Sequence, residues 1–256
     1  MTAGPGSRRP KHYVVTGAAT GIGAAIAKRL FEDGARVTGA GLDVDAGQTL
    51  AAQWPSSETA FEFAGLDVTD EQAVLEFFAA LDPIDGLVNC AGIYPADQRL
   101  EDVSLADFRR VLDVNLIGTF LTCRSALPLL RLGGGGAIVN ISSVHAVSAA
   151  GGQGAYAASK GAIASLTRQI GVDYAVDSIR ANALLVGSVD TRITRSAIAA
   201  AGSAAALSLT TESKALGRIA SASEIAGVVS FLLGDDSSFI TASALLTDGG
   251  LTARIL

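Results

Sequence analysis

Two cysteines, Cys90 and Cys123, are all that the 256 residues carry. Both fall in apolar segments, with neither metal-ligand spacing nor a pairing framework. That excludes a disulfide-stapled module, and both read as small core or interface residues. Base is not in excess: 19 Lys and Arg stand against 25 Asp and Glu, a net charge of -6. The basic stripe that nucleic-acid binding needs is therefore missing, and the acidic balance points to a soluble surface. Aromatics make up only 5% of the chain. No apolar run approaches the roughly 18 residues that span a bilayer, so no membrane partner is expected. No Cys/His/Asp set has ligand spacing, so no metal is expected either. The first ten residues, Met1 to Pro10, are rich in Gly, Pro, Ser and Arg with no apolar stretch behind them. They read as a disordered tail rather than a signal peptide, with a reducing cytoplasm as the expected location.

What the sequence does have is a rhythm. Short apolar runs at His12 to Thr16, Arg36 to Ala40, Ala60 to Leu66, Gly86 to Val88, Ala137 to Ile141, Ile179 to Val186 and Ala244 to Thr247 alternate with helical patterns. The helical stretches include Ala24 to Asp33, Leu105 to Leu130 and Ala155 to Ala175. Strand–helix alternation of this kind predicts βαβ units, hence a doubly wound α/β fold of Rossmann type. The sheet is expected to be parallel and seven-stranded, in a single domain over residues 11–256. One segment breaks the rhythm: Thr191 to Gly217 is Ala/Ser-rich and follows the sixth strand. An excursion there leaves the carboxyl edge of the sheet, where ligands bind, so it reads as a substrate lid rather than a flexible decoration.

The first strand runs into Thr16-Gly17-Ala18-Ala19-Thr20-Gly21-Ile22-Gly23 and then into a helix. Three glycines permit a sharp turn, close approach of backbone to a pyrophosphate, and tight helix–strand packing. The helix N-terminus favours the anion. A glycine-rich turn alone also fits a strand–helix junction with no ligand, but its place after the first strand of a βαβ series favours a dinucleotide.

Tyr156-Ala157-Ala158-Ser159-Lys160 puts a phenol and an ammonium four residues apart on one helix face. A neighbouring Lys⁺ favours the phenolate, lowering a pKa that otherwise lies near about 10. Alone the spacing is a common accident. Here Ser143 stands thirteen residues earlier at the end of the fifth strand, and Asn115 lies inside the long helix beginning near Leu105.

With these residues in hand, the chain resembles the single-domain short-chain dehydrogenase/reductase family from Tyr13 to Leu251. Thr16 to Gly23 resembles the family's glycine turn, with Gly17, Thr20, Gly21, Ile22 and Gly23 toward the cofactor. Asp67-Val68 resembles the pair that meets the adenine. Asn89-Cys90-Ala91-Gly92 is similar to the segment after the fourth strand, with Asn89, Ala91 and Gly92 as cofactor contacts. Gly187 to Thr191, with Gly187, Val189 and Thr191 as contacts, resembles the loop at the nicotinamide end. Leu216-Gly217-Arg218 and Thr247-Asp248-Gly249-Gly250 resemble C-terminal signatures.

Asn115, Ser143, Tyr156 and Lys160 match the family's catalytic tetrad. The resemblance implies that Tyr156 exchanges a proton with the substrate oxygen and Ser143 orients that oxygen. Lys160 would bind the nicotinamide ribose and depress the Tyr156 pKa, and Asn115 would anchor a water linking Lys160 to solvent. A nicotinamide cofactor, a small alcohol or ketone substrate and a homotetramer follow by the same resemblance.

Three positions depart from the pattern: Cys90 replaces an Asn, Val186 a Pro, and Gly41 the acidic residue that usually ends the second strand when NAD is used. Asp43, nearby, is placed to reach the ribose and would repel a 2′-phosphate, so NAD is expected, with NADP left open. Asp45 reads as a helix N-cap, and His145 as a neutral wall of the site. The activity expected is reversible hydride transfer between nicotinamide and a secondary alcohol or ketone. An NADPH-dependent 3-oxoacyl-thioester reductase and a non-catalytic nucleotide sensor are the alternatives.

Overall fold

A computed structural model describes residues 9–54, 60–200 and 215–253. Seven parallel strands form one sheet in the order β3-β2-β1-β4-β5-β6-β7. They are β1 (His12–Thr16), β2 (Arg36–Gly41), β3 (Phe61–Gly65), β4 (Gly86–Asn89), β5 (Gly136–Ser143), β6 (Ile179–Val186) and β7 (Ala244–Thr247). Strands β1, β4, β5 and β6 are almost wholly buried, as strands covered on both faces must be. The chain winds outward from β1 to β3, then returns to β4 on the other side of β1, pairing Thr16 with Asn89. Loops after β1 and β4 therefore part to opposite faces, opening a crevice at their carboxyl ends.

The helices are α1 (Gly21–Glu32), α2 (Val44–Gln53), α3 (Glu71–Ala79), α4 (Leu105–Leu112), α5 (Gly118–Leu132), α6 (Gly154–Asp173), α7 (Arg192–Ala200) and α8 (Ala222–Leu233). On one face, Ile26 and Leu30 of α1 pack with Ile225, Val229 and Leu232 of α8 against Val15, Val88 and Val139. On the other, Val74 and Phe78 of α3, Leu121 and Leu130 of α5, and Ile170 of α6 cover Val14, Leu87 and Ile138. A buried polar ladder crosses the second layer. Thr122 Oγ1 donates to Asn89 Oδ1 (2.7 Å), Asn89 Nδ2 to Asn140 Oδ1 (2.8 Å), and Asn140 Nδ2 to Thr167 Oγ1 (2.8 Å). It ties α5 to α6 through the two central strands.

Several expectations change in detail. The helix expected over Leu105 to Leu130 is interrupted by a π-helical turn, Asp113–Ile117, that carries Asn115. The cap of α2 is Asp43, whose side chain accepts from Ala46 N at 3.2 Å, not Asp45, which lies in the first turn. The tail expected to Pro10 is shorter at its inner end: Arg9 pairs with Asp85 at 2.8 Å. Residues 1–8 lie outside the described residues. The segment expected as a lid opens with α7, and its residues 201–214 also lie outside them. Among the described residues, no helix is long and apolar enough to cross a membrane, and no group of side chains could hold a metal ion.

Candidate active site

A cavity of about 850 Å³ opens at the carboxyl ends of β1, β4, β5 and β6. Its floor is the glycine turn. Gly17 adopts φ +67°, and a Cβ there would meet Ala91 N at 2.8 Å. A Cβ on Gly23 would lie 2.1 Å from Gly17 O, so helix and turn touch backbone to backbone. Thr16 Oγ1 accepts from Cys90 N and Ala91 N, both at 3.2 Å, locking the turn to the end of β4. Thr20 precedes α1 with no side-chain cap bond, so the first-turn N–H groups stay open beside the cavity. Unsatisfied donors at a helix start, and a turn stripped of side chains, fit a dinucleotide diphosphate.

Tyr156 and Lys160, one turn apart on α6, and Ser143, at the end of β5, line the same cavity. The half-buried Tyr156 ring stands edge-on to Tyr94 (4.9 Å between centroids) and His145 (5.5 Å). Lys160 is 6% exposed; its Nζ donates to Ile141 O at 2.9 Å and lies 5.5 Å from the Tyr156 ring centroid. Ser142 Oγ donates to Lys160 O at 2.8 Å, fixing α6 against β5.

Asn115 is fully buried behind this group. Its Oδ1 accepts from Ile93 N (2.8 Å), and its Nδ2 donates to Ile93 O (3.1 Å) and Ser159 Oγ (3.1 Å). Both amide hydrogens are thereby committed. In the chain itself the side chain clamps the loop after β4 to α6.

Burial dominates the electrostatics. It pushes the Tyr156 phenol up to about 12, a hydrogen bond with Ser143 pulling the other way. It pushes the Lys160 ammonium down to about 8, with Cys90 opposing. In the protein alone, burial and not Lys160 is the largest influence on the phenol. Removal from water penalises the charged form of each group. Burial lowers the His145 pKa, Asp97 opposing.

Of the other expected cofactor contacts, Gly17, Thr20, Gly21, Ile22, Gly23, Ala91, Gly92, Gly187, Val189 and Thr191 line the cavity. Asp43, Asp67, Val68 and Asn89 do not. Asn89 is consumed in the buried ladder, and Val68 packs where a Cβ on Gly118 would lie 2.6 Å from its Cγ2. Asp67 Oδ1 accepts from Thr69 N and Oγ1. Cys90, expected in the core or an interface, packs against the core and also lines the cavity, while Cys123 is buried against Asn89. Arg192, from the segment expected as a lid, forms one wall, and Leu251 and Thr252 form another that sequence reasoning missed, though the Asp248-Gly249-Gly250 turn held the signal for them.

A family model described as enoyl-(acyl carrier protein) reductase matches residues 17–252. The chain belongs to the short-chain dehydrogenase/reductase family. This short-chain dehydrogenase/reductase is 36% identical over 252 residues to 2-(R)-hydroxypropyl-CoM dehydrogenase of Xanthobacter autotrophicus, covering 94% of this chain and 98% of that one. It is 35% identical to cyclopentanol dehydrogenase of a Comamonas species, covering 95% and 98%. Among solved structures, levodione reductase superposes with a TM-score of 0.91 at 31% identity, covering 97% and 100%. As a member of this family the chain is a nicotinamide-dependent oxidoreductase acting on secondary alcohols and ketones.

Proposed function

We propose that the chain interconverts an alicyclic secondary alcohol and its ketone, with NAD as cofactor and Tyr156 as the proton-transfer group. The observation that carries this reading is the convergence of Ser143, Tyr156 and Lys160 on one cavity floored by the glycine turn. The ring substrate is supported by the apolar walls at Ile93, Val144 and Val186, and by the name of the Comamonas relative. When bound, the nicotinamide accepts or supplies the hydride. Tyr156 gives the substrate oxygen its proton or removes it, and Ser143 hydrogen-bonds that oxygen beside it. Lys160 holds the ribose hydroxyls. Asn115 keeps the loop after β4 in register with α6, and Asp67 and Val68 serve the adenine end. A screen of cyclic alcohols and ketones, acyl thioesters included, followed at the nicotinamide absorbance, tests the reading. Turnover confined to acyl thioesters overturns it.

NAD is proposed because no basic side chain lies in the turn or in Gly41-Leu42-Asp43 at the end of β2. The exposed Asp43, two residues past the end of β2, would repel a 2′-phosphate brought to that strand end. kcat/KM is expected to favour NAD at least about tenfold, the ratio one charged contact supplies. A tenfold preference for NADP refutes the assignment.

Lys160 gives a second test. An ammonium pushed down to about 8 is charged below that pH and neutral above it. Nucleotide affinity is therefore expected to weaken as pH rises through about 8, and Lys160→Ala to lower affinity and turnover together. Fluorescence titration at several pH values reads both. An Ala variant with wild-type affinity would remove Lys160 from the ribose.

We place in the same reading residues 191–217 as a substrate lid, and a cytoplasmic homotetramer. The exposed apolar side chains Leu105, Ile117 and Phe120, around the turn that carries Asn115, support association.

A further inference from the structure

The cavity that holds Tyr156 has a charge balance unlike that of the molecule around it. The chain carries 25 acidic residues and a net charge of -6, yet among the described residues no Asp or Glu lines the cavity. Two strong cations do, Lys160 and Arg192. Lys160 is buried and donates to Ile141 O. Arg192 is different. It is the first residue of α7, it is exposed, and among the described residues it makes neither an ion pair nor a side-chain hydrogen bond.

The contrast with Arg195, one turn on, is informative. Its Nε and Nη2 close on the two carboxylate oxygens of Asp190 at 2.7 and 2.9 Å. Asp190, the acid nearest Arg192 in sequence, is thus already taken. Gly187 to Val189 offer no acid before it, and Thr191 and Thr194 bond one another at 3.2 Å. The remaining wall around the reacting pair is Tyr94, His145, Ile93 and Val144, all neutral or apolar. An open guanidinium fork on a wall without competing carboxylates matches a planar carboxylate in geometry and charge. Low-dielectric walls concentrate its field inside the cleft.

We propose that the substrate is a hydroxy acid: a secondary alcohol that also carries a carboxylate, bound at the cavity wall by Arg192 while its hydroxyl faces Tyr156. This rests on the alcohol–ketone reading of the same cavity and adds the charge of the molecule that fills it. Arg192 is thereby a specificity-determining residue and takes no part in proton or hydride transfer.

The test uses matched pairs of cyclic alcohols with and without the acid, 4-hydroxycyclohexanecarboxylate against cyclohexanol. In the wild type, kcat/KM for the acid is expected to exceed that for cyclohexanol at least about tenfold, the factor one charge-assisted contact supplies. Arg192→Gln is expected to collapse that ratio through KM for the acid, and Arg192→Lys to restore part of it. Nucleotide affinity, read in the same proteins by fluorescence, separates the two anions a guanidinium could meet. If Arg192→Gln weakens nucleotide binding and leaves the ratio intact, the side chain serves the cofactor diphosphate and the proposal is overturned. Turnover of cyclohexanol with no preference for the acid overturns this inference alone and leaves the alcohol–ketone reading standing. If neither compound turns over, calorimetry with cyclohexanecarboxylate on the NAD-loaded protein decides. Binding that Arg192→Gln abolishes supports the anion site, and absence of binding refutes it.

Discussion

Tyr156→Phe is expected to lower turnover by at least roughly 10²-fold, within the 10²–10⁴-fold that general acid–base catalysis typically supplies. The substitution keeps the ring, so its edge-on contacts with Tyr94 and His145 survive, and with them the wall of the cavity. What goes is the hydroxyl, and with it the influence of Ser143 that opposes the upward shift. Nucleotide affinity and Tm should hold near the wild-type values.

The pH dependence carries the sign. In the chain itself the phenol is pushed up to about 12, so it is protonated across the working range and ready to donate in the reduction direction. Oxidation needs the phenolate, so its rate should climb with pH. The apparent pKa should fall below 12 in the loaded enzyme, because nearby positive charge favours the anion. Phenylalanine cannot titrate, and the variant should lose the climb. Near-full turnover of Tyr156→Phe on a substrate the wild type uses would move the proton to another group, with His145 the first to examine.

Gly23→Ala should damage folding and nucleotide binding together. The added Cβ would sit 2.1 Å from Gly17 O and 2.7 Å from Gly17 C, both backbone atoms of the turn, with no flexible side chain to swing aside. Overpacking typically costs about 1–3 kcal/mol, and a contact between two main chains belongs at the upper end. For a domain of this size that corresponds to a fall in Tm of roughly 6–12 °C. Relief requires the turn to open, which misdirects the open N–H groups of α1, so nucleotide affinity should drop by at least about tenfold. Gly151→Ala is the control. Nothing lies within 4 Å of its Cβ position, and Tm should stay within a degree or two. An unshifted melt for Gly23→Ala would mean that the turn yields far more easily than its contacts imply.

Strand placement was legible because the buried strands are unbroken apolar runs bounded by glycine and polar turns. His12–Thr16 and Ile179–Val186 match residue for residue. The fifth strand runs two residues further than its apolar core, since Ser142 and Ser143 continue the β pairing with Leu185 and Val186 although they are polar. The π-helical turn at Asn115 left no trace, because the apolar period of Leu105 to Leu130 runs on through it. What shifts the ladder there is long-range: Asn115 is held by Ile93 and Ser159, 22 and 44 residues away. That Cys90 lines the cavity as well as packing against the core was illegible for a related reason. A small apolar residue just past a four-residue strand looks the same from sequence whether it faces core or cleft. The burial that acts on Lys160 and Tyr156 was not legible, because spacing reports proximity and says nothing of desolvation, which is the largest influence on both groups.

The seating of the glycine turn on the end of β4 has a consequence for how the molecule comes into being. Thr16 is tied to Ala91 across 75 residues, and Gly17 rests on the backbone of that same residue. Strands β1, β2 and β3 can pair with one another as soon as they are made, because each lies next to its sequence neighbour. The turn cannot take its final shape until β4 has left the ribosome and inserted beside β1. With synthesis at about 5–20 residues per second, that is a wait of several seconds. During it one flank of β1 is an open strand edge, the kind of surface that invites pairing with another chain. The glycine turn is therefore completed only after β4 emerges, and until then the nascent chain carries an open edge prone to aggregation.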